Sequence, residues 1–299
     1  MNRRIPLILL LGFALPVARA ETIPLWPDLA PGEATKKPGT ELPMRPEDEP
    51  PISRVENITA PTLALFPAPK EKANGVGMLI LPGGGFGRVV PNMEGSEAAA
   101  WLNGLGISAY VLSYRTTSGV DPAGEAAAKA EPWKRPLQDS QRGIRHLRHH
   151  AKEYGLDPAK IGLLGFSAGG QVAAIHLTSE KAAYEPVDAI DGTSFRPDFS
   201  MLVYPWRVAD EKTGQLMPQI APSAKMPPGF LVHTDDDKSS SLGAALIYLG
   251  MKQHGVSGEL HVYQNGGHGY GTRPRPGSVI GSWKDRGSDW LRVRRLAAE

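Results

Sequence analysis

Ser167 stands in Gly165-Phe166-Ser167-Ala168-Gly169, with Gly170 behind it, directly after the apolar run at 161–164. A Gly-x-Ser-x-Gly segment at the end of a strand predicts a sharp turn into a helix that presents the serine hydroxyl, with small neighbours letting the two backbones approach. The alternative for the pentapeptide alone is a Gly/Ser turn without chemistry. A serine nucleophile needs a base and an acid, which for this type of elbow follow in the order Ser, Asp or Glu, His. Both are present. The apolar run 230–233 opens into Thr234-Asp235-Asp236-Asp237-Lys238, and the alternating run 260–263 opens into Asn265-Gly266-Gly267-His268-Gly269-Tyr270-Gly271.

The chain has 8 histidines, so the choice of base has to be argued. His146, His149 and His150 fall on a basic amphipathic helix and read as its solvated face. His176 lies inside the helix after the elbow and His254 near the end of another, while His233 and His261 sit within strands as core or edge residues. His268 is ringed by glycines, which packing explains poorly. A backbone free to bend there can project an imidazole toward a serine on another loop.

The buried run 76–81 ends in Pro82-Gly83-Gly84-Gly85-Phe86-Gly87. Together with the N–H of Ala168, those of Gly84 and Gly85 are the expected donors to a developing oxyanion, each such donor contributing about 3 kcal/mol to lowering the barrier. A phosphate-cradling loop is the weaker reading, because neither Gly-Lys-Ser/Thr nor Gly-x-Gly-x-x-Gly is present. Phe86, Phe166, Trp206 and Tyr270 are the aromatic candidates for contacting substrate, with core packing as the competing role.

These groups need a scaffold that gathers strand ends. Apolar runs at 63–66, 76–81, 108–112, 161–164, 202–204, 230–233 and 260–263 alternate with helical patterns at 94–103, 137–154, 168–178, 240–254 and 282–296. The alternation predicts an α/β fold, a mostly parallel sheet with helices on both faces, and a site at the carboxyl ends of its strands. Residues 62–299 form this expected catalytic domain. Residues 21–61, rich in proline and charge, are expected to wrap it as an extended arm. Two stretches, 118–136 and 210–228, interrupt the rhythm and are candidates for shaping a pocket or for plain surface connections.

With 299 residues, 41% of them hydrophobic and 21% charged, the composition is that of an ordinary globular domain with an ample core. The net charge of +2 points to neither nucleic acid nor an anionic membrane surface. The absence of cysteine excludes disulfides, thiol catalysis and cysteine zinc sites. Met1-Asn2-Arg3-Arg4, the apolar run 5–17 and Ala18-Arg19-Ala20 have the form of a secretory signal peptide over 1–20, which predicts a secreted or periplasmic protein. That run is short of a membrane span and contains Pro6 and Pro16.

The chain resembles the α/β-hydrolase superfamily, and within it the exported acetylxylan and feruloyl esterase-like group often labelled as xylan-degrading. The resemblance rests on Pro24-Leu25-Trp26-Pro27, Leu81-Pro82-Gly83-Gly84-Gly85-Phe86, Tyr114-Arg115, Gly165 to Gly170, Arg196-Pro197-Asp198-Phe199 and Gly266-Gly267-His268-Gly269, which span nearly the whole chain after the leader. It implies Ser167 as nucleophile, His268 as base, and Gly84, Gly85 and Ala168 as oxyanion donors. For the acid it favours Asp236, with Asp237 as the alternative, since the group's loop reads small-small-Asp-Asp. Gln171, where relatives often have histidine, and Pro82, in place of the common oxyanion-loop histidine, are departures that bear on substrate preference. The expected activity is hydrolysis of a carbohydrate or small-molecule ester through an acyl-enzyme, with no metal or organic cofactor. An exported peptidase and a non-catalytic binding module on the same fold are the rival readings. The first usually carries a gating domain, and the second lacks a triad member.

Overall fold

The structure is a computed structural model that describes residues 21–298; the leader expected over 1–20 lies outside the described residues. Strands β1 (Thr22–Pro24), β2 (Pro38–Glu41), β3 (Val55–Ile58), β4 (Thr62–Phe66), β5 (Gly77–Leu81) and β6 (Arg88–Val89) precede helix α1 (Glu97–Gly104). They are followed by β7 (Ser108–Ser113), α2 (Pro122–Ala130), α3 (Lys134–His149), β8 (Ile161–Phe166), α4 (Ser167–Thr178) and β9 (Phe199–Val203). The last part of the chain contributes β10 (Ala209–Asp210), β11 (Gln215–Leu216), β12 (Gly229–Thr234), α5 (Leu242–Gln253), β13 (Gly258–Tyr263) and α6 (Trp283–Val293).

The main sheet has 8 strands in the order β1-β4-β7-β5-β8-β9-β12-β13. From β7 to β13 every neighbouring pair is parallel, while β4 is antiparallel to both β7 and β1. Strands buried on both faces read as continuous apolar runs, and β5 and β8 are buried throughout. Their alternating side chains feed two cores. Leu79, Leu81 and Leu163 pack with α3, α4 and α5, whereas Met78, Ile80, Leu164 and Phe166 pack with α1 and α6. β5 lies between β7, the next strand of the main sheet, and β8, the one after it. The chain order therefore reverses at β5, and crevices outside the strand ends at such a reversal are where α/β proteins bind ligands.

Two expectations need correction. The arm is not merely an extended wrapping: β1 extends the main sheet, and β2 and β3 form a 3-stranded sheet with β6. Its Trp26 is buried and donates from Nε1 to Asp139 Oδ1 at 2.9 Å. Helix α3, expected to show a solvated basic face, is buried over most of its length. The arm and the segment around Asp188 and Asp191 cover that face. Arg142 lies over the Trp26 ring at 5.2 Å and pairs with both aspartates, so its charge is buried only because it is paired. His146 is buried with it; desolvation pushes its pKa down to about 4. Among the described residues no helix is long and apolar enough to cross a membrane.

Candidate active site

β8 runs directly into α4, so Ser167 is held at φ +51°, a left-handed conformation that is costly for a side-chain-bearing residue. The turn is possible only because its neighbours lack side chains. A Cβ on Gly169 would lie 2.1 Å from the carbonyl oxygen of Leu81, and one on Gly165 2.6 Å from that of Gly169. Ser167 is 8% exposed, at the mouth of a cleft.

The loop after β13 brings His268 to the serine. Ser167 Oγ and His268 Nε2 are 2.7 Å apart, and His268 Nδ1 is 2.6 Å from Asp237 Oδ2. The tautomer that satisfies both bonds carries its proton on Nδ1, donates it to Asp237 and accepts the serine hydroxyl at Nε2. Asp237 Oδ1 accepts the N–H of Ser239 at 2.8 Å, and its side chain is 1% exposed. The structure therefore corrects the assignment of Asp236. β12 ends at Thr234 and a tight turn at 235–236 points Asp236 to solvent, returning Asp237 inward. Asp236 has another position: its oxygens accept the N–H groups of Gly267 and Gly266 at 2.9 and 3.2 Å, which hold its carboxyl below the usual range. Arg275 steadies the same loop by donating to the carbonyls of Gly269 and His268.

Gly84 and Gly85 adopt φ +136° and +65° and line the cleft of about 420 Å³ that contains Ser167 and His268. Among the described residues their N–H groups have no acceptor. Ala168, in the first turn of α4, likewise lacks an intrahelical acceptor for its N–H. The glycine loop is clamped from behind: Tyr114 donates to the carbonyl of Pro82 at 2.6 Å, and the N–H of Gly83 donates to Glu94 Oε2 at 2.7 Å.

Glu94 was not found from the sequence, where it is only the first residue of a helical pattern. It sits in a short π-helical turn over 92–96, is 3% exposed, and accepts the Tyr204 hydroxyl on Oε1 at 2.7 Å. Burial pushes its carboxyl above the ordinary value. The Tyr204 hydroxyl in turn accepts the N–H of Gly271 at 2.8 Å, and its ring meets His268 edge-on with centroids 4.9 Å apart. One carboxyl therefore ties the glycine loop to the histidine loop.

The aromatic candidates divide. Trp206 lines the cleft, and its N–H donates to the carbonyl of Ser167 at 3.0 Å. Phe86 is 3% exposed but walls an adjoining cavity. Phe166 and Tyr270 do not face the serine cleft. Phe166 points into the core between Tyr204 and Trp283, as strand alternation demands, and Tyr270 packs edge-on against Tyr204 at 4.3 Å. Both are fully buried.

A protein-family model described as BD-FAE matches residues 126–201, the segment that carries α3, β8, the elbow and α4. An acetylxylan esterase from Xylanibacter ruminicola is 28% identical over 225 residues, 67% of this chain and 42% of that protein. An endo-1,4-beta-xylanase B from Butyrivibrio fibrisolvens is 34% identical over 131 residues, 43% of this chain and 19% of that one. The chain thus corresponds to less than half of either relative. Among solved structures, an acetyl ester-xyloside bifunctional hydrolase from Caldicellulosiruptor lactoaceticus superposes with a TM-score of 0.71 at 28% identity, covering 94% of this chain and 98% of that one. With its elbow, its sheet and these relatives, the chain has the α/β-hydrolase fold and is similar, over the segment that carries the elbow, to the BD-FAE family.

Proposed function

We propose that this protein is an exported serine carboxylic-ester hydrolase that removes acetyl, or feruloyl, groups from plant-type polysaccharide or oligosaccharide. The observation that carries the chemistry is the line of hydrogen bonds from Ser167 through His268 to Asp237, set beside unpaired N–H groups at Gly84 and Gly85. His268 takes the proton of Ser167 as its Oγ attacks the ester carbonyl; Asp237 stabilises the imidazolium so formed. The oxyanion is received by the N–H groups of Ala168, Gly84 and Gly85. His268 then protonates the departing alcohol, and a water activated by the same imidazole releases the acid from Ser167.

The carbohydrate ester is supported by the relatives, two of which are named for acetyl esters and xylan or xyloside. The experiment is acetate and ferulate release from acetylated and feruloylated xylan by the wild-type protein and by Ser167→Ala. Acetate or ferulate release that disappears in Ser167→Ala supports the reading; release that survives the substitution refutes the serine mechanism. Export rests on residues 1–20, and the mass of the protein recovered from the periplasm or medium should begin at Glu21.

A further inference from the structure

Next to the serine cleft lies a second cavity of about 530 Å³, and the two share Gly85 and Trp206 as a common wall. Its remaining walls come largely from the two stretches that interrupt the strand-helix rhythm, through Trp133 on one side and Met217 and Gln219 on the other. An acetyl group attached to Ser167 needs only a methyl-sized space, so this volume is far larger than an acetyl ester requires on its acyl side.

The lining specifies the occupant. Phe86, Trp133 and Trp206 supply flat apolar surfaces, and Trp206 is fixed to the nucleophile through its backbone bond to Ser167. Gln171 is 5% exposed; its amide nitrogen is used by the carbonyl of Arg207 and the sulfur of Met217, while its Oε1 has no partner among the described residues. It therefore offers a free acceptor in the cavity wall, with the exposed amide of Gln219 nearby. Charged groups of both signs, Lys129, Arg207 and Asp210, line the rim, and Lys129 is already paired with Glu125. Aromatic faces combined with amide donors and acceptors and a balanced charge suit a ring with apolar C–H faces and equatorial hydroxyls. A lipid chain would leave the polar groups unpaired, and an anion would face Asp210.

We infer that this cavity is a sugar subsite: it holds a neutral pyranose adjacent, in the same chain, to the unit whose ester is at Ser167. The inference rests on the proposed action on a polysaccharide ester. It makes the alcohol side of specificity a property of Trp133, Gln171, Trp206 and Gln219, separate from the reacting atoms.

The test compares acetylated xylo-oligosaccharide, p-nitrophenyl acetate and a p-nitrophenyl ester of an aromatic acid on wild type, Trp133→Ala and Gln219→Ala, with circular dichroism to establish folding. The exposed Gln219 variant keeps the test open if Trp133→Ala fails to fold. The expected result is that KM for the oligosaccharide rises about tenfold in Trp133→Ala and severalfold in Gln219→Ala, with a much smaller change in kcat/KM for p-nitrophenyl acetate. Equal losses on oligosaccharide and p-nitrophenyl acetate, or a selective loss on the aromatic acyl ester, would overturn the subsite, the latter making the cavity an acyl pocket. A wild-type protein that hydrolyses p-nitrophenyl acetate but releases nothing from any acetylated oligosaccharide would instead refute the proposed polysaccharide substrate.

Discussion

Replacing Asp237 by Asn leaves a side chain of the same shape against His268 Nδ1 but removes the charge and reverses the hydrogen bond. The carboxylate is closed to solvent, with the Asp237 side chain 1% exposed and its second oxygen already occupied by the Ser239 N–H. An amide that keeps its oxygen on Ser239 must present N–H to Nδ1. The imidazole then carries its own proton on Nε2, where it can no longer accept one from Ser167. Loss of the correct tautomer and of imidazolium stabilisation in such a dyad costs about 10⁴-fold in kcat, or about 5 kcal/mol at about 1.4 kcal/mol per tenfold. Asp236→Asn is the control. Asp236 faces solvent, and of its two oxygens that accept the Gly266 and Gly267 N–H groups an amide keeps one, the freed N–H turning to water at this exposed position, so kcat should stay within about threefold of wild type. Initial rates on p-nitrophenyl acetate at neutral pH, with matched circular dichroism spectra, decide between them. A collapse in Asp236→Asn together with more than a tenth of wild-type kcat in Asp237→Asn would refute the assignment.

Glu94→Gln leaves one acceptor where Gly83 N–H and the Tyr204 hydroxyl now use two; the unpaired buried group costs about 1–3 kcal/mol. We expect kcat to fall by about 10- to 100-fold with less change in KM, and Tyr204→Phe to add little to it in the double variant, since both break one bridge. Gly169→Ala places a methyl 2.1 Å from a backbone oxygen that cannot move without shifting β5, so the variant should unfold at markedly lower temperature or fail to accumulate as soluble protein. His176, buried between the Ser140 hydroxyl and the Phe195 carbonyl, has its pKa pushed down to about 4 by desolvation. Its unfolded form takes up a proton near pH 6.5, so between these values the unfolded state binds more protons and stability falls as pH falls. The contribution is intact above about pH 6.5 and reaches a loss of about 3 kcal/mol near pH 4. Urea midpoints across that range should fall, and more shallowly in His176→Gln.

The nucleophile elbow, the glycine loop and the histidine loop were legible because each depends on local geometry that only certain residues permit. Gly165, Gly169 and Gly170 have no room for a Cβ, and the alternation of apolar runs and helical patterns places the three loops at the carboxyl ends of parallel strands. What was not legible depended on partners distant in the chain. Three adjacent aspartates are chemically identical until the turn at 235–236 sends Asp236 outward and Asp237 inward. Phe166 is next to the serine in sequence yet faces the opposite core, because successive residues on β8 point to opposite sides of the sheet. Helix α3 reads as basic and solvated until the arm and the acidic segment cover it.

By itself the amino-acid sequence determined the chemistry available to this protein: a serine on a strained turn, an imidazole on a glycine-rich loop, and backbone donors beside them. These follow from covalent and steric rules that act within a few residues. Only the tertiary structure decided which carboxylate completes the line, that Glu94 meets Tyr204 from 110 positions away in the chain and so joins the glycine loop to the histidine loop, and that two irregular stretches line a cavity with Trp133 and Trp206. Those outcomes turn on burial and on hydrogen bonds between distant segments. Both are set when the chain packs, not by the neighbours a residue has in sequence.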